Sequence, residues 1–352
     1  MNIVFRVDSS DIIGTGHVYR CLNLAFHYKE HNIAFICKNH KNNLNHKIAE
    51  KYKVYELHTE NHVDTNIDTW LGESQIYDFN KTLDIINTYN LQIDWLIIDH
   101  YAINKIWEDE IKKYVKYICV IDDYIDRPHN CNILINQQIS YDYAITKYKN
   151  IINVDCKIYC GNDYLLLHPN YYNYINIKKE YDNDIKRINI FMGGTDTYNI
   201  TEKIIDICNK YNKNITYDVI IGKTNKNYEL IRDKIKYLDN FNIYYGLDFI
   251  GDVLKKADLC IGAPGLTSYE RALVKVPCLC ICVAENQKTV IDKFIKTNII
   301  KYLGTIEDNY EKKIIDYLDY FNENMNDLKS MSNNCENFIN LNNNRINNIL
   351  VS

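Results

Sequence analysis

Three times along this chain a short apolar run ends in a glycine-bearing turn and passes into a segment of helical periodicity. That recurrence restricts the fold more than any other feature. Ile3-Val4-Phe5-Arg6-Val7-Asp8 leads through Gly14 and Gly16 into a helix opening at His17, with Arg20, Cys21, Leu22, Leu24 and Ala25 behind it. Ile188-Asn189-Ile190-Phe191-Met192 runs into Gly193-Gly194-Thr195-Asp196, with a helix from about Ile200. Leu259-Cys260-Ile261 runs into Gly262-Ala263-Pro264-Gly265 and then Leu266-Thr267-Ser268-Tyr269-Glu270. Strand, glycine turn and helix make the repeating unit of an open parallel sheet, which binds ligands at the carboxyl ends of its strands.

The rest of the chain keeps the alternation. Strand-like runs recur at Ile33–Cys37, Trp95–Asp99, Tyr117–Ile121 and Ile133–Asn136, with helical periodicity at Val18–Lys29 and Ile103–Tyr114. The second half restarts the pattern, with runs at Tyr217–Ile221, Ile243–Tyr245 and Cys278–Val283. At roughly 100–200 residues per domain, 352 residues make two domains. The expected fold is α/β, two Rossmann-like domains facing a cleft. The Tyr- and Asn-rich stretch Ser140–Asn176 is the place for the connection, giving domains 1–165 and 166–324. The polar tail from about Tyr310 is helical; either a helix over 325–345 packs back on the first domain or the last dozen residues are loosely ordered.

Composition excludes several functions. A net charge of −5 offers no basic face for nucleic acid. No apolar run approaches the roughly 20 residues of a membrane span, and Arg6 and Asp8 interrupt the first strand where a signal peptide would be apolar. Of the 12 cysteines, Cys278, Cys280 and Cys282 alternate on one strand, which reads as packing, while Cys156 and Cys160 are too isolated for half a zinc site. Free buried thiols fit a reducing cytoplasm. No metal-ligand spacing and no cofactor motif stands out. Gly14-x-Gly16 lacks the third glycine of a dinucleotide fingerprint, since Tyr19 takes that place, and GxSxG, HExxH and P-loop patterns are absent. The absence of a long apolar surface helix points to a monomer.

The candidate chemistry sits at the strand ends. His17, behind Gly14 and Gly16, is either an acid or base in the crevice or a helix-capping histidine on a tight turn. Asp99, His100 and Tyr101 close the run from Trp95; the Asp-His pair is either catalytic or a turn with a satisfied histidine. Asp122-Asp123 closes the next strand and reads as structural or as substrate contacts. Gly194 and Thr195 suit a diphosphate or a sugar hydroxyl, or form an ordinary turn. Gly265, Leu266 and Thr267 open a helix whose positive end can hold phosphate without a metal. Glu270, one turn in, can take both hydroxyls of a ribose or act as the capping-box partner of Thr267.

Taken in order, these motifs resemble a known family. Phe5-Arg6-Val7-Asp8-Ser9-Ser10, Ile13-Gly14-Thr15-Gly16-His17-Val18-Tyr19-Arg20, Leu96–Tyr101, Cys160-Gly161 with Tyr164, Met192–Asp196, Gly262 with Glu270-Arg271-Ala272, and Glu285-Asn286-Gln287 are similar to the UDP-2,4-diacetamido-2,4,6-trideoxy-beta-L-altropyranose hydrolases of pseudaminic acid biosynthesis. Pro264 and Tyr269 depart from the helix-opening pattern. The family is GT-B-like, related in fold to the inverting glycosyltransferase that forms lipid II. The resemblance implies a metal-independent, inverting hydrolase that turns a UDP-sugar into UDP and free sugar and needs no cofactor. It implies that His17 activates water, that Tyr101 and Asn286 lie beside the reacting sugar, and that Leu266, Thr267 and Glu270 hold diphosphate and ribose. It adds Gly14, Gly16, Arg20, Asp99, His100, Gly194, Thr195, Gly265 and Gln287 as substrate contacts. It makes the first domain the sugar side and the second the UDP side. An inverting glycosyltransferase of the same class is the alternative.

Overall fold

The computed structural model describes residues 1–58, 63–174, 177–211, 214–284, 287–338 and 343–351. The chain divides into two compact units, Met1–Pro169 with Leu341–Ser352, and Asn170–Asn340.

The first unit runs β1 (Asn2–Val7), α1 (Gly16–His27), β2 (Asn32–Lys38), α2 (Asn45–Ala49), β3 (Lys53–Leu57), α3 (Gln75–Thr88), β4 (Ile93–Asp99), α4 (Lys105–Ile111), β5 (Val115–Ile121), β6 (Ile133–Asn136), α5 (Tyr141–Tyr148) and β7 (Lys157–Cys160). The sheet is parallel throughout, in the order β3-β2-β1-β4-β5-β6-β7. The two-residue period of a strand divides the apolar side chains between two cores. Ile3, Phe5, Val7 and Ile97 join Val18, Cys21 and Leu24 of α1 on one face. Val4, Leu96 and Ile98 join Phe79 and Trp107 on the other. Phe5 stacks on Phe35 at 4.7 Å, and each such buried side chain contributes roughly 1.5–3 kcal/mol of transfer free energy. The chain order reverses between β1 and β4, where Val7 pairs with Asp99. A crevice at such a switch point lies beyond the carboxyl ends of those two strands.

The second unit runs β8 (Arg187–Phe191), α6 (Ile200–Tyr211), β9 (Thr216–Ile221), α7 (Tyr228–Ile235), β10 (Phe241–Tyr245), α8 (Gly251–Leu254), β11 (Leu259–Gly262), α9 (Leu266–Leu273), β12 (Cys278–Cys282), α10 (Lys288–Lys296), β13 (Ile300–Thr305), α11 (Tyr310–Glu323) and α12 (Met325–Phe338). Its sheet order is β10-β9-β8-β11-β12-β13, so the switch falls between β8 and β11. Both later glycine clusters follow those two strands. Leu279 and Ile281 of β12 face the main core of this unit, and the alternating cysteines lie buried between them.

The tail departs from expectation. Leu328 and Met331 of α12 pack in the second unit's core, and Ser332 Oγ donates to Lys275 O at 2.6 Å. That helix therefore stays with the second unit. The segment that returns to the first unit comes later, with α13 (Asn343–Asn347). Ile346, Ile349 and Leu350 join the core beneath α1. Tyr28 at the end of α1 fixes the return, donating to Ile346 O at 2.8 Å and accepting from Leu350 N at 3.0 Å.

Candidate functional site

The turn after β1 is built by short polar side chains. Ser10 Oγ accepts from Ile12 N and Ile13 N at 3.1 and 3.0 Å, and Gly14 N donates back to Ser10 O at 2.9 Å. Gly14 sits at φ +83°, a conformation that favours glycine, with open space where a side chain would project. Thr15 precedes α1 without a side-chain cap, and Gly16 opens the helix. His17 does not cap it either. Its ring turns to the end of β4, and only 7% of the residue is exposed.

There His17 Nδ1 lies 2.6 Å from Asp99 Oδ1. Asp99 is fully buried and is held from the other side by Arg20, whose Nε and Nη2 donate to its two oxygens at 2.5 and 2.6 Å. Burial pushes the Asp99 carboxyl up, but Arg20 and His17 outweigh it and hold it well below the usual carboxylate range. An ionised carboxylate at 2.6 Å calls for the proton on Nδ1, and in that tautomer of the neutral ring Nε2 carries the lone pair. Nε2 makes no hydrogen bond among the described residues. Arg20 sits at i+3 from His17 on one helix face and also pairs with Asp123. Tyr101 donates to Asp123 Oδ2 at 2.8 Å and meets the His17 ring edge-on at 4.4 Å. Burial pushes its phenol up, so it acts there as a neutral donor. Trp70 packs against both rings, edge-on to His17 at 5.8 Å and stacked on Tyr101 at 5.9 Å.

The structure thus brings together His17, Arg20, Asp99 and Tyr101, with Gly14 and Gly16 in the turn above them. It does not bring His100 into that group. His100 Nδ1 accepts from Ala102 N at 3.2 Å and its Nε2 faces Asp8 Oδ2 at 3.2 Å. Asp8 belongs to a separate buried network, paired with Arg6 at 2.6 Å, and Arg6 in turn with Asp78 at 2.8 Å. Asp122 also turns away, to Arg127 at 2.7 Å and His129 at 3.1 Å. Asp123, read from the sequence as structural or as a substrate contact, joins the His17 cluster, and so does Trp70, which was not singled out. The only signal for Asp123 was its place at a strand's carboxyl end. Trp70 closes a single 3-10 turn, Ile67–Thr69, between β3 and α3, and left none.

In the second unit Gly194 and Thr195 follow β8. Gly194 O lies where a side chain on Gly222 would fall, at 2.3 Å, so the turn rests directly on the backbone after β9. Asp196, at φ +41°, accepts from Ile200 N and Thr201 N at 2.9 Å each and so starts α6. The Thr195 hydroxyl has no hydrogen-bond partner among the described residues. After β11, Gly265 adopts φ +139° as the residue before α9, again with open space around it. Leu266 and Thr267 are the first helical residues, and their N–H groups lack intrahelical acceptors. Because the cap falls on Gly265, Glu270 is in the second turn and cannot be the third residue of a Thr267 capping box. It is half-buried, beside Thr267 and the Tyr171 hydroxyl. Burial pushes its carboxyl up to about 7, against Arg271, Thr267 and Tyr171. Gln287 folds back on its own turn, accepting from Val283 N at 2.9 Å ahead of α10. Asn286 lies outside the described residues. Among the described residues no group of three or more His, Cys, Asp or Glu could hold a metal ion, and no helix is long and apolar enough to cross a membrane.

Two parallel-sheet α/β units, each with its glycine turns at the switch point, make this a GT-B-like fold. MurG of Acinetobacter baumannii matches it with a TM-score of 0.62 and 10% identity, over 100% of this chain and 99% of that one. The UDP co-structure of S. aureus MnaA matches at 0.61 and 10% identity, over 97% and 93%. Identities this low speak for the fold alone. In sequence, the chain is similar to the UDP-2,4-diacetamido-2,4,6-trideoxy-beta-L-altropyranose hydrolase of Campylobacter jejuni. The two are 29% identical over 293 residues, 82% of this chain and 94% of that protein. The uncharacterized protein MJ1062 of Methanocaldococcus jannaschii is 25% identical over 88% of this chain and 61% of its own length. No protein-family model matches the chain. The resemblance drawn from the motifs and the similarity over most of the chain agree.

Proposed function

We propose that this protein is an enzyme that hydrolyses a UDP-linked 2,4-diacetamido-2,4,6-trideoxyhexose of the L-altrose type to UDP and free sugar, a step in pseudaminic acid biosynthesis. The observation that carries the reading is His17, with Nδ1 bound to buried Asp99 and Nε2 without a partner among the described residues. An imidazole held in that tautomer by a carboxylate is built to take a proton. On this reading Nε2 accepts a proton from a water as the water attacks the anomeric carbon on the face opposite UDP. The bond to the diphosphate oxygen breaks, the configuration inverts, and the proton on the histidine passes to solvent. Tyr101 and Trp70 set the ring plane, and Arg20 keeps Asp99 ionised. UDP is a good leaving group, so a general acid is less necessary than for an ordinary glycoside. The N–H groups at Leu266 and Thr267 stabilise the departing diphosphate, which lets the reaction proceed without a metal. Glu270 takes the ribose hydroxyls, with Gly194 and Thr195 bordering the sugar nucleotide. Asn286 is placed beside the sugar by motif alone. We further propose that the protein acts as a monomer in the cytoplasm.

One observation favours a second reading, an inverting glycosyltransferase: the solved structures of this fold include glycosyltransferases. A UDP-release assay separates the two. The purified protein is given UDP-2,4-diacetamido-2,4,6-trideoxy-L-altrose or UDP-GlcNAc, with EDTA and no acceptor. Fast release from the first alone is expected. Tight UDP binding with no release from either would transfer the assignment to a transferase.

A further inference from the structure

Beneath the β11–α9 turn lies a charge that no part of this mechanism uses. Arg271, in the second turn of α9, is 2% exposed. Its Nη2 donates to Ala263 O at 2.8 Å, inside the turn, and to Ser268 Oγ at 3.1 Å in the first turn of the helix. Its Nε and Nη1 are buried with no hydrogen-bond partner. No carboxylate forms an ion pair with it among the described residues. Cys260, Cys278 and Cys280 are its neighbours, and the Glu270 carboxyl acts on it without closing an ion pair. Gly262 makes the room: a side chain there would fall 2.8 Å from Arg271 Nη1.

A buried guanidinium with two idle donors and no ion-pair partner among the described residues is costly, and folds do not keep such a group for stability. It sits directly under the turn whose last residue, Gly265, opens α9 at φ +139° with open space above. Glu270 leaves both idle donors unpaired, so the closer counter-charge is a ligand's. We propose that Arg271 is a positioning residue for the diphosphate of UDP: a fixed positive charge beneath the Gly262–Gly265 turn that attracts the ligand's negative charge without touching it, and that holds Ala263 and Ser268 in the binding geometry. This rests on the reading that the second unit binds UDP. In a medium of low dielectric such a charge acts over several ångströms, and with the helix end it takes the place of a cation.

The test is titration calorimetry of the full chain with UDP and with uridine, which lacks the phosphates. Arg271→Met is expected to weaken UDP on the order of tenfold or more while uridine changes less than about threefold. Its melting temperature without ligand should not fall, because a buried unpaired charge has been removed. Arg271→Lys keeps the charge and should hold UDP within about threefold of wild type. It decides the matter if the Met variant does not fold. Equal losses for UDP and uridine, or a loss of UDP affinity in the Lys variant as large as in the Met variant, would overturn the inference. Wild-type protein that binds neither ligand would instead overturn the assignment of UDP to this unit.

Discussion

At the scale of single residues, the site is a problem in fixing one proton. His17 has two nitrogens that can exchange roles, and Asp99 removes the choice by holding Nδ1 at 2.6 Å. The arrangement depends on Arg20, because a fully buried carboxylate beside an imidazole alone would tend to take up a proton. Replacing His17 by Ala leaves the α9 end untouched. On the proposed mechanism, kcat for UDP release should fall by about 10²–10⁴ while UDP affinity stays the same. Steady-state kinetics alongside calorimetry checks this, and a variant that keeps full turnover would remove His17 from the role of base. What sequence could say here was limited. His17 behind a glycine turn fitted a cap as well as a base, and the partner that separates those readings is 82 residues away. His100 shows the converse, since an Asp-His pair adjacent in sequence sends its two side chains to different networks.

At the scale of elements, strands were legible in proportion to their burial. The central runs stand out because a parallel strand covered on both faces is apolar throughout. The strands that the apolar runs did not mark are β3, β7 and β13, and each lies at the edge of its sheet. Lys53 and Glu56 break the run Lys53-Val54-Tyr55-Glu56-Leu57, and only Leu57 of it is fully buried, because an edge strand is only half covered. The loop from β5 to β6 shows another use of an element's end. His129 bridges Glu108 on α4 at 2.6 Å and Asp122 after β5 at 3.1 Å. Burial lowers its pKa, but the hydrogen bonds it donates to Asp122 and Glu108 outweigh that and raise it to about 9 from an ordinary 6.5. The folded chain therefore holds this proton more tightly than the unfolded one. The stability it contributes is complete below about pH 6.5 and is lost as pH rises through about 9. Melting temperature should accordingly decline across that window, and His129→Gln should flatten the decline. An unchanged slope in the variant would show that other groups cause it.

At the scale of the molecule, each unit has cores of its own, and the C-terminal residues belong to the first. Ile346, Ile349 and Leu350 are buried against the same helix whose first turn carries His17. Ile346→Ala should cost the first unit about 2–5 kcal/mol. The three tryptophans, Trp70, Trp95 and Trp107, all lie in that unit, so their fluorescence reports its unfolding alone. Urea denaturation should show the fluorescence transition moved to lower urea, with the part of the circular-dichroism change that belongs to the second unit left in place. A common shift of both signals would mean that the units unfold together.

The local sequence by itself determined the class of fold, because apolar runs, glycine turns and amphipathic helices are written in short windows that hydrophobic burial and backbone sterics read directly. It also marked the glycine turns, since a backbone at positive φ with open space beside it admits few other residues. What only the tertiary structure decided is which side chains meet. The pairing of His17 with Asp99, the separation of His100, the joining of Trp70 and Asp123 to the cluster, the burial of Arg271 without an ion-pair partner among the described residues and the return of Ile346 to α1 all depend on residues far apart in the chain. Hydrogen bonds and charges act over a few ångströms in space, and distance along the sequence does not measure that.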